Sequence, residues 1–124
     1  MIVTTLHYHT KSRQLDIHFD NGSLSTLSAE FLRVHSPSAE VQGHHSADAK
    51  LVTNKKAVAI KEIEAVGHYA VRLLFDDNHQ SGLYSFRYLA QLCNDADTLW
   101  QTYLARLKQA NGQREASIAI RITP

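Results

Sequence analysis

The sequence predicts an α+β domain, a small antiparallel β-sheet with about three helices packed against it. Three observations predict it. Apolar residues alternate at period two through several short stretches separated by turn residues, two serines stand directly ahead of segments with helical spacing, and the longest apolar helical stripe comes late, over residues 96–107. At 124 residues, 44% hydrophobic and 20% charged, the chain suits one globular core that needs no disulfide or metal to hold it.

Ile2, Leu6 and Tyr8 share one face of a first strand, with His7 and His9 on the other. After the polar turn Lys11-Ser12-Arg13, Leu15, Ile17 and Phe19 repeat the alternation, so the two strands predict a hairpin. Asp20-Asn21-Gly22 signals a turn because Asn and Gly tolerate positive φ. Leu24 and Leu27 then lead into Ser28, which fits the N-cap of a helix over residues 29–34, and Pro37 stops that helix. Residues 37–56 are polar and weakly periodic; they predict a long loop with one short strand around Leu51 and Val52.

Val58, Ile60, Ile63 and Val66 mark the next strand, Gly67 a turn or bulge, and Val71, Leu73 and Phe75 another strand. Asp76-Asp77-Asn78-His79 connects it to a returning strand over residues 81–84, with Asn78 suited to a left-handed position, which brings the sheet to about five strands. Ser85 caps a helix carrying Phe86, Leu89 and Leu92, and Asn94 and Asp95 break and recap it. Ala96, Leu99, Trp100, Tyr103 and Leu107 then form a stripe predicted to pack on the sheet, with Lys108 in the last turn and Gly112 past the stop. Ile118, Ile120 and Ile122 alternate in residues 117–123, which read either as a late edge strand or as a tail.

Thirteen Lys and Arg against twelve Asp and Glu give a net charge of +1, with no basic run to recruit nucleic acid. Cys93 is the only cysteine, so no intramolecular disulfide can form, and the beginning of the sequence does not read as a secretory signal; the cytoplasm is the expected location. No apolar run approaches the roughly 20 residues that span a bilayer, so no membrane association is expected. The oddity is eight histidines.

Two stretches carry a resemblance. Leu32-Arg33 followed by His35-Ser36-Pro37-Ser38-Ala39-Glu40, and the run from Gly67-His68-Tyr69 through Asp76-Asp77-Asn78-His79 to Tyr88-Leu89, resemble the N-terminal domain of gamma-butyrobetaine hydroxylase. The resemblance covers residues 5–93, which makes residues 1–94 the recognisable domain and residues 95–124 a C-terminal helix packed on it plus an Ile-rich tail. It implies a module that in the full-length hydroxylases precedes a separate jelly-roll oxygenase domain holding the iron and 2-oxoglutarate. It also implies a kinship with small stand-alone bacterial proteins of unknown function and with a domain appended to some iron–sulfur carrier proteins. The chain has no room for the oxygenase domain, so the expectation is that it is not an enzyme and that a dioxygenase label would be an error of domain transfer. His18 and Asp20 have the local spacing of an iron facial triad but fall at a strand end and turn.

The hydroxylase version of the domain carries a zinc on three cysteines and a histidine. By the resemblance, Ser36, Ser38 and Val41 occupy the cysteine positions and His79 the histidine. Serine hydroxyls are poor zinc ligands at neutral pH and valine is none, so the family zinc site is expected to be lost and no cofactor is expected. The alternative is a site rebuilt from His35, His44, His45 and His79, binding zinc or iron in a module for iron or iron–sulfur handling. His7, His9 and His18 fall on the polar faces of the first hairpin, where cross-strand imidazoles could chelate a metal but also serve as ordinary surface residues.

Catalytic constellations fail for physical reasons. Ser28 and Ser85 read as helix caps, Cys93 near a helix C-terminus reads as a small apolar residue because the dipole there disfavours thiolate, and Asp76-Asp77 is explained by a hairpin turn. Phe86 is expected in the core, with Tyr84 or Tyr88 lining a shallow surface. The functional expectation is a non-catalytic accessory or protein-interaction module. Its partner surface is expected at Glu40 in the long loop and at Asp77, His79 and Gln80 in the late hairpin, segments that the family pattern brings together.

Overall fold

The computed structural model describes residues 2–37, 51–77 and 80–114. Its elements run β1 (Val3–His9), β2 (Gln14–Phe19), β3 (Leu24–Ser28), α1 (Ala29–Val34), β4 (Ile60–Val66), β5 (Ala70–Phe75), β6 (Gln80–Ser85), α2 (Phe86–Asn94) and α3 (Ala96–Gln109). The strands form two three-stranded antiparallel sheets, β1-β2-β3 and β4-β5-β6, each a meander around its central strand. The α+β class holds, and the five expected strands are all present. The sixth is β3, and six strands divide into two sheets instead of forming one.

Alternation on the two central strands builds the core. Leu15, Ile17 and Phe19 of β2 and Val71, Leu73 and Phe75 of β5 are buried in one cluster with Phe31, Leu32, Tyr84, Leu89 and Leu92. Strand β4 keeps Ile60 and Ile63 on the same side although they stand three positions apart, because a bulge lies between Ile60 and Glu62. The turn after it uses Gly67 at φ 62°, a left-handed conformation that costs glycine little.

Helix α1 begins where expected: the Ser28 side chain accepts a hydrogen bond from the Phe31 N–H at 3.0 Å. Ser85 does the same for α2, accepting from Tyr88 N–H at 3.0 Å, whereas Asp95 precedes α3 without a side-chain cap. The stripe on α3 divides its contacts. Ala96, Leu99 and Trp100 lie against the main core, while Tyr103 and Leu107 join Val34 of α1 in a second cluster flanked by Leu51 and Val52. Leu51 and Val52 are therefore packed but not in a strand. Their polar link is to a side chain, since the Tyr103 hydroxyl donates to the Val52 carbonyl at 2.7 Å.

Helix α3 ends in a Schellman motif. Gly112 N–H reaches the Leu107 carbonyl at 2.8 Å and Asn111 N–H the Lys108 carbonyl at 3.3 Å, and it is Asn111, at φ 53°, that turns left-handed. Gly112 serves a different need, because a Cβ there would stand 3.1 Å from both Leu107 Cδ2 and Thr53 Cγ2. The following backbone pairs with the segment before β4, with Asn54 N–H donating to the Gln113 carbonyl and Lys56 N–H to the Arg114 carbonyl, each at 2.8 Å. Asn78 and residues 117–123 lie outside the described residues. Among the described residues no helix is long and apolar enough to cross a membrane.

Candidate functional site

Helix α1 is six residues long and every one is buried, including Glu30 and Arg33. A buried charge requires a partner. Glu30 receives a two-pronged contact from Arg114, with Nε to Oε2 at 2.9 Å and Nη2 to Oε1 at 2.8 Å, and the Arg114 guanidinium lies 5.0 Å from the Trp100 ring centroid. Arg33 Nε donates to Asp77 Oδ2 at 2.9 Å, and Lys55 Nζ meets the same oxygen at 2.7 Å. The carbonyls at the end of α1 are taken by tyrosines, the Tyr84 hydroxyl donating to Leu32 and the Tyr88 hydroxyl to His35 at 2.6 Å.

Tyr84 departs from the expected aromatic arrangement, while Phe86 packs against the core as expected but from its edge. Tyr84 is fully buried and Tyr88 half-buried with its hydroxyl bound, whereas Phe86 is half-buried and lines an apolar groove of about 280 Å³ with Val3, Leu6, Ile63, Ala65 and Val71. The reason is geometric: Tyr84 is the register partner of Val71 and therefore shares its inward face. Burial raises the phenol pKa of Tyr84 and Tyr88 and pushes Tyr103 up to about 12, with Glu30 adding to the effect. All three are structural hydrogen-bond donors. No residue lining the groove ionises, so it offers neither acid nor base.

The residues expected at a site fare differently. His35 follows α1 with its ring 4.4 Å from the Phe31 ring, and its Nδ1 donates to the Phe31 carbonyl at 2.8 Å. Burial holds the His35 pKa below the ordinary histidine value. Its ring thus completes the packing between α1 and Tyr103. Asp77 has 19% of its side chain exposed and is held by Arg33 and Lys55; Gln80 opens β6 as the register partner of Leu74. Glu40, His44, His45 and His79 lie outside the described residues, as do Ser38 and Val41. Ser36 is fully buried and hydrogen-bonded with the Tyr84 side chain, so the first position of the family zinc site offers an engaged hydroxyl in place of a thiolate, which does not fit a closed zinc centre. Cys93 is half-buried against the core, and burial pushes its thiol pKa up, in keeping with a packing role.

The outer faces of the two sheets carry unlike chemistry. On the first sheet, register places His7, Asp16 and Thr26 in one row across β1, β2 and β3, with His9 two residues along β1. His9 Nε2 and Asp16 Oδ2 are 2.7 Å apart, Thr26 Oγ1 donates to Asp16 Oδ1 at 2.8 Å, and the His7 and His9 rings lie 4.4 Å apart. The hydrogen bonds from His9 and Thr26 lower the Asp16 pKa. One potential ligand atom from each of His7, His9 and Asp16 lies within 4.8 Å of the others, and His18 is not part of the group. The sequence shows the two histidines; Asp16 joins them only through the β1–β2 register, which a His-x-His strand facing an Asp in a hairpin would signal.

On the second sheet the rows are Glu62–Leu74, Glu64–Arg72–Leu83 and Val66–Ala70–Ser85. Leu83 is 46% exposed on this face, and Tyr69 at its β4–β5 turn is 80% exposed. Arg72 Nη1 lies 3.5 Å from Glu64 Oε2. Here an apolar side chain is edged by charges of both signs.

Helix α1, with its terminal carbonyls held by Tyr84 of β6 and Tyr88 of α2, belongs to a small domain of the α+β class. Residues 6–90 match the family model described as gamma-butyrobetaine hydroxylase-like, N-terminal, and the chain belongs to that family. A protein solved by NMR in solution is 51% identical with a TM-score of 0.80, over 99% of this chain and 92% of that one. A second NMR structure is 39% identical at a TM-score of 0.82, covering 98% of this chain and 96% of its own. A crystal structure of a protein with unknown function, of the DUF971 family, from Acidithiobacillus ferrooxidans is 33% identical at a TM-score of 0.61, over 73% of this chain and 90% of that one. A search of curated proteins found no match.

Proposed function

We propose that the chain is a non-catalytic accessory module that binds a protein partner through the outer face of the β4-β5-β6 sheet and the late hairpin, without the family's zinc. The observation that carries this reading is Leu83, 46% exposed in a row with Arg72 and Glu64 on the outer face of the second sheet. A surface leucine edged by Glu62, Glu64 and Arg72 suits a partner that seats an apolar side chain and surrounds it with polar contacts. The ionisable groups nearest α1 support it from the other side. Glu30, Arg33, Lys55 and Asp77 are paired with one another or with Arg114, which makes them supports for the fold and leaves the outer face as the surface for recognition.

Of the sequence-derived surface, Gln80 adjoins this face as the register partner of Leu74, whereas Asp77 is engaged on the α1 side by Arg33 and Lys55. The test is affinity capture from native lysate by wild-type protein, Leu83→Asp and Leu24→Asp, the last placing the same charge on an exposed leucine of the other sheet. A specific partner lost with Leu83→Asp and kept with Leu24→Asp supports the reading. Capture indifferent to Leu83→Asp removes it.

A further inference from the structure

The outer face of the first sheet assembles a donor set independent of the partner surface. We propose that His7, His9 and Asp16 form a binding site for a borderline divalent transition ion, with Zn2+ as the reference ligand. Two imidazoles and one carboxylate are a donor set that suits zinc, nickel and cupric ions and leaves coordination positions open for water.

The geometry needs little adjustment. Zinc–ligand bonds of about 2.0–2.2 Å place tetrahedral donors roughly 3.4 Å apart, and the three ligand atoms already lie within 4.8 Å of one another. His9 Nε2 and Asp16 Oδ2, 2.7 Å apart, have to separate slightly, and a metal between them replaces the proton that now joins them. Both histidines project from one strand at i and i+2, so their spacing is set by the β repeat. Asp16 comes from the neighbouring strand in register with His7.

What distinguishes this group from scattered surface histidines is the support behind the carboxylate. Thr26 on the third strand donates to Asp16 Oδ1 at 2.8 Å and fixes the rotation of the carboxylate, leaving Oδ2 on the histidine side. Such outer partners orient a ligand before the ion arrives, and removing one typically weakens metal binding by about 10- to 100-fold. A bound ion would tie β1 to β2, so it would stabilise the folded chain in proportion to its occupancy.

The experiment titrates untagged full-length protein with Zn2+, read by calorimetry for stoichiometry and by amide NMR for location. The expected result is one ion per chain with shifts centred on residues 7, 9, 16 and 26. His9→Ala should weaken binding more than about tenfold, Thr26→Val by roughly tenfold, and His18→Ala and His68→Ala should bind as wild type. Asp16→Asn tests the carboxylate while keeping an acceptor for Thr26, and circular dichroism of each variant verifies that it is folded. Unchanged affinity in folded His9→Ala, or shifts centred on residues 35, 44, 45 or 79, overturns the assignment.

Discussion

The two sheets are built by one rule on their inner faces and by two different rules on their outer ones. Each is a three-stranded meander whose central strand buries alternate residues, Leu15, Ile17 and Phe19 in one and Val71, Leu73 and Phe75 in the other. Outside, the first sheet presents imidazoles, a carboxylate and a threonine in register, while the second presents leucine among charges. The core requires only apolar volume at period two, so the inner faces converge. Nothing in the packing dictates the outer rows, and that is where this chain places its chemistry.

The first way to break the comparison is to truncate equivalent core positions. Leu15 and Leu73 are both fully buried, and each changed to alanine should lose about 2–5 kcal/mol of stability, the usual range for a buried leucine. Urea denaturation of the two variants checks it. If one truncation costs far less than the other, the sheets are not equivalent halves of the core.

Tyr84 sharpens the comparison, because the inner face of the second sheet carries a polar link to α1. Tyr84→Phe keeps the ring and leaves the Leu32 carbonyl without its donor, for an expected loss of about 1–3 kcal/mol in the same measurement. An unchanged midpoint would show that the hydroxyl contributes nothing to holding α1 between the sheets.

The smallest effect concerns the junction that both sheets share. Burial lowers the His35 pKa below its ordinary 6.5, so on acidification the unfolded chain takes up this proton before the folded one does. The histidine's contribution is present above about pH 6.5, declines as the pH falls below it, and levels off once the folded ring protonates as well. His35→Phe should flatten this part of the stability profile measured by denaturant titration between pH 7 and 5, roughly the histidine range. A profile that keeps its slope in the variant assigns the dependence to another group.

Much of the architecture was legible because local signals agreed with the fold. Ser28 and Ser85 sit one residue before helical spacing and do cap α1 and α2, and the alternation in β2 and β5 is strong enough to identify each as a strand unaided, though their central places come only from the pairing. Strand β3 was not legible: Leu24 and Leu27, three apart, look like the approach to a helix, yet only Leu27 points inward and the strand exists by pairing with β2. Leu51 and Val52 misled in the opposite sense, since short apolar pairs pack equally well without a ladder. The candidate site was legible in part. The sequence displays the histidines of β1, but Asp16 and Thr26 reach them through cross-strand register, which composition does not encode.

The Glu30–Arg114 contact bears on how the chain is made. The family match ends at residue 90, but the carboxylate buried in α1 finds its cation at position 114. During synthesis α1 emerges long before that arginine, so a nascent chain that folds early must leave the Glu30 carboxylate in water until its partner arrives. A fragment cut at the family boundary would meet the same difficulty permanently. The stretch that the family model matches is therefore shorter than the stretch that completes the contacts of α1, and the last step of assembly waits for a residue beyond that match, one that lies within the span shared with the two NMR structures.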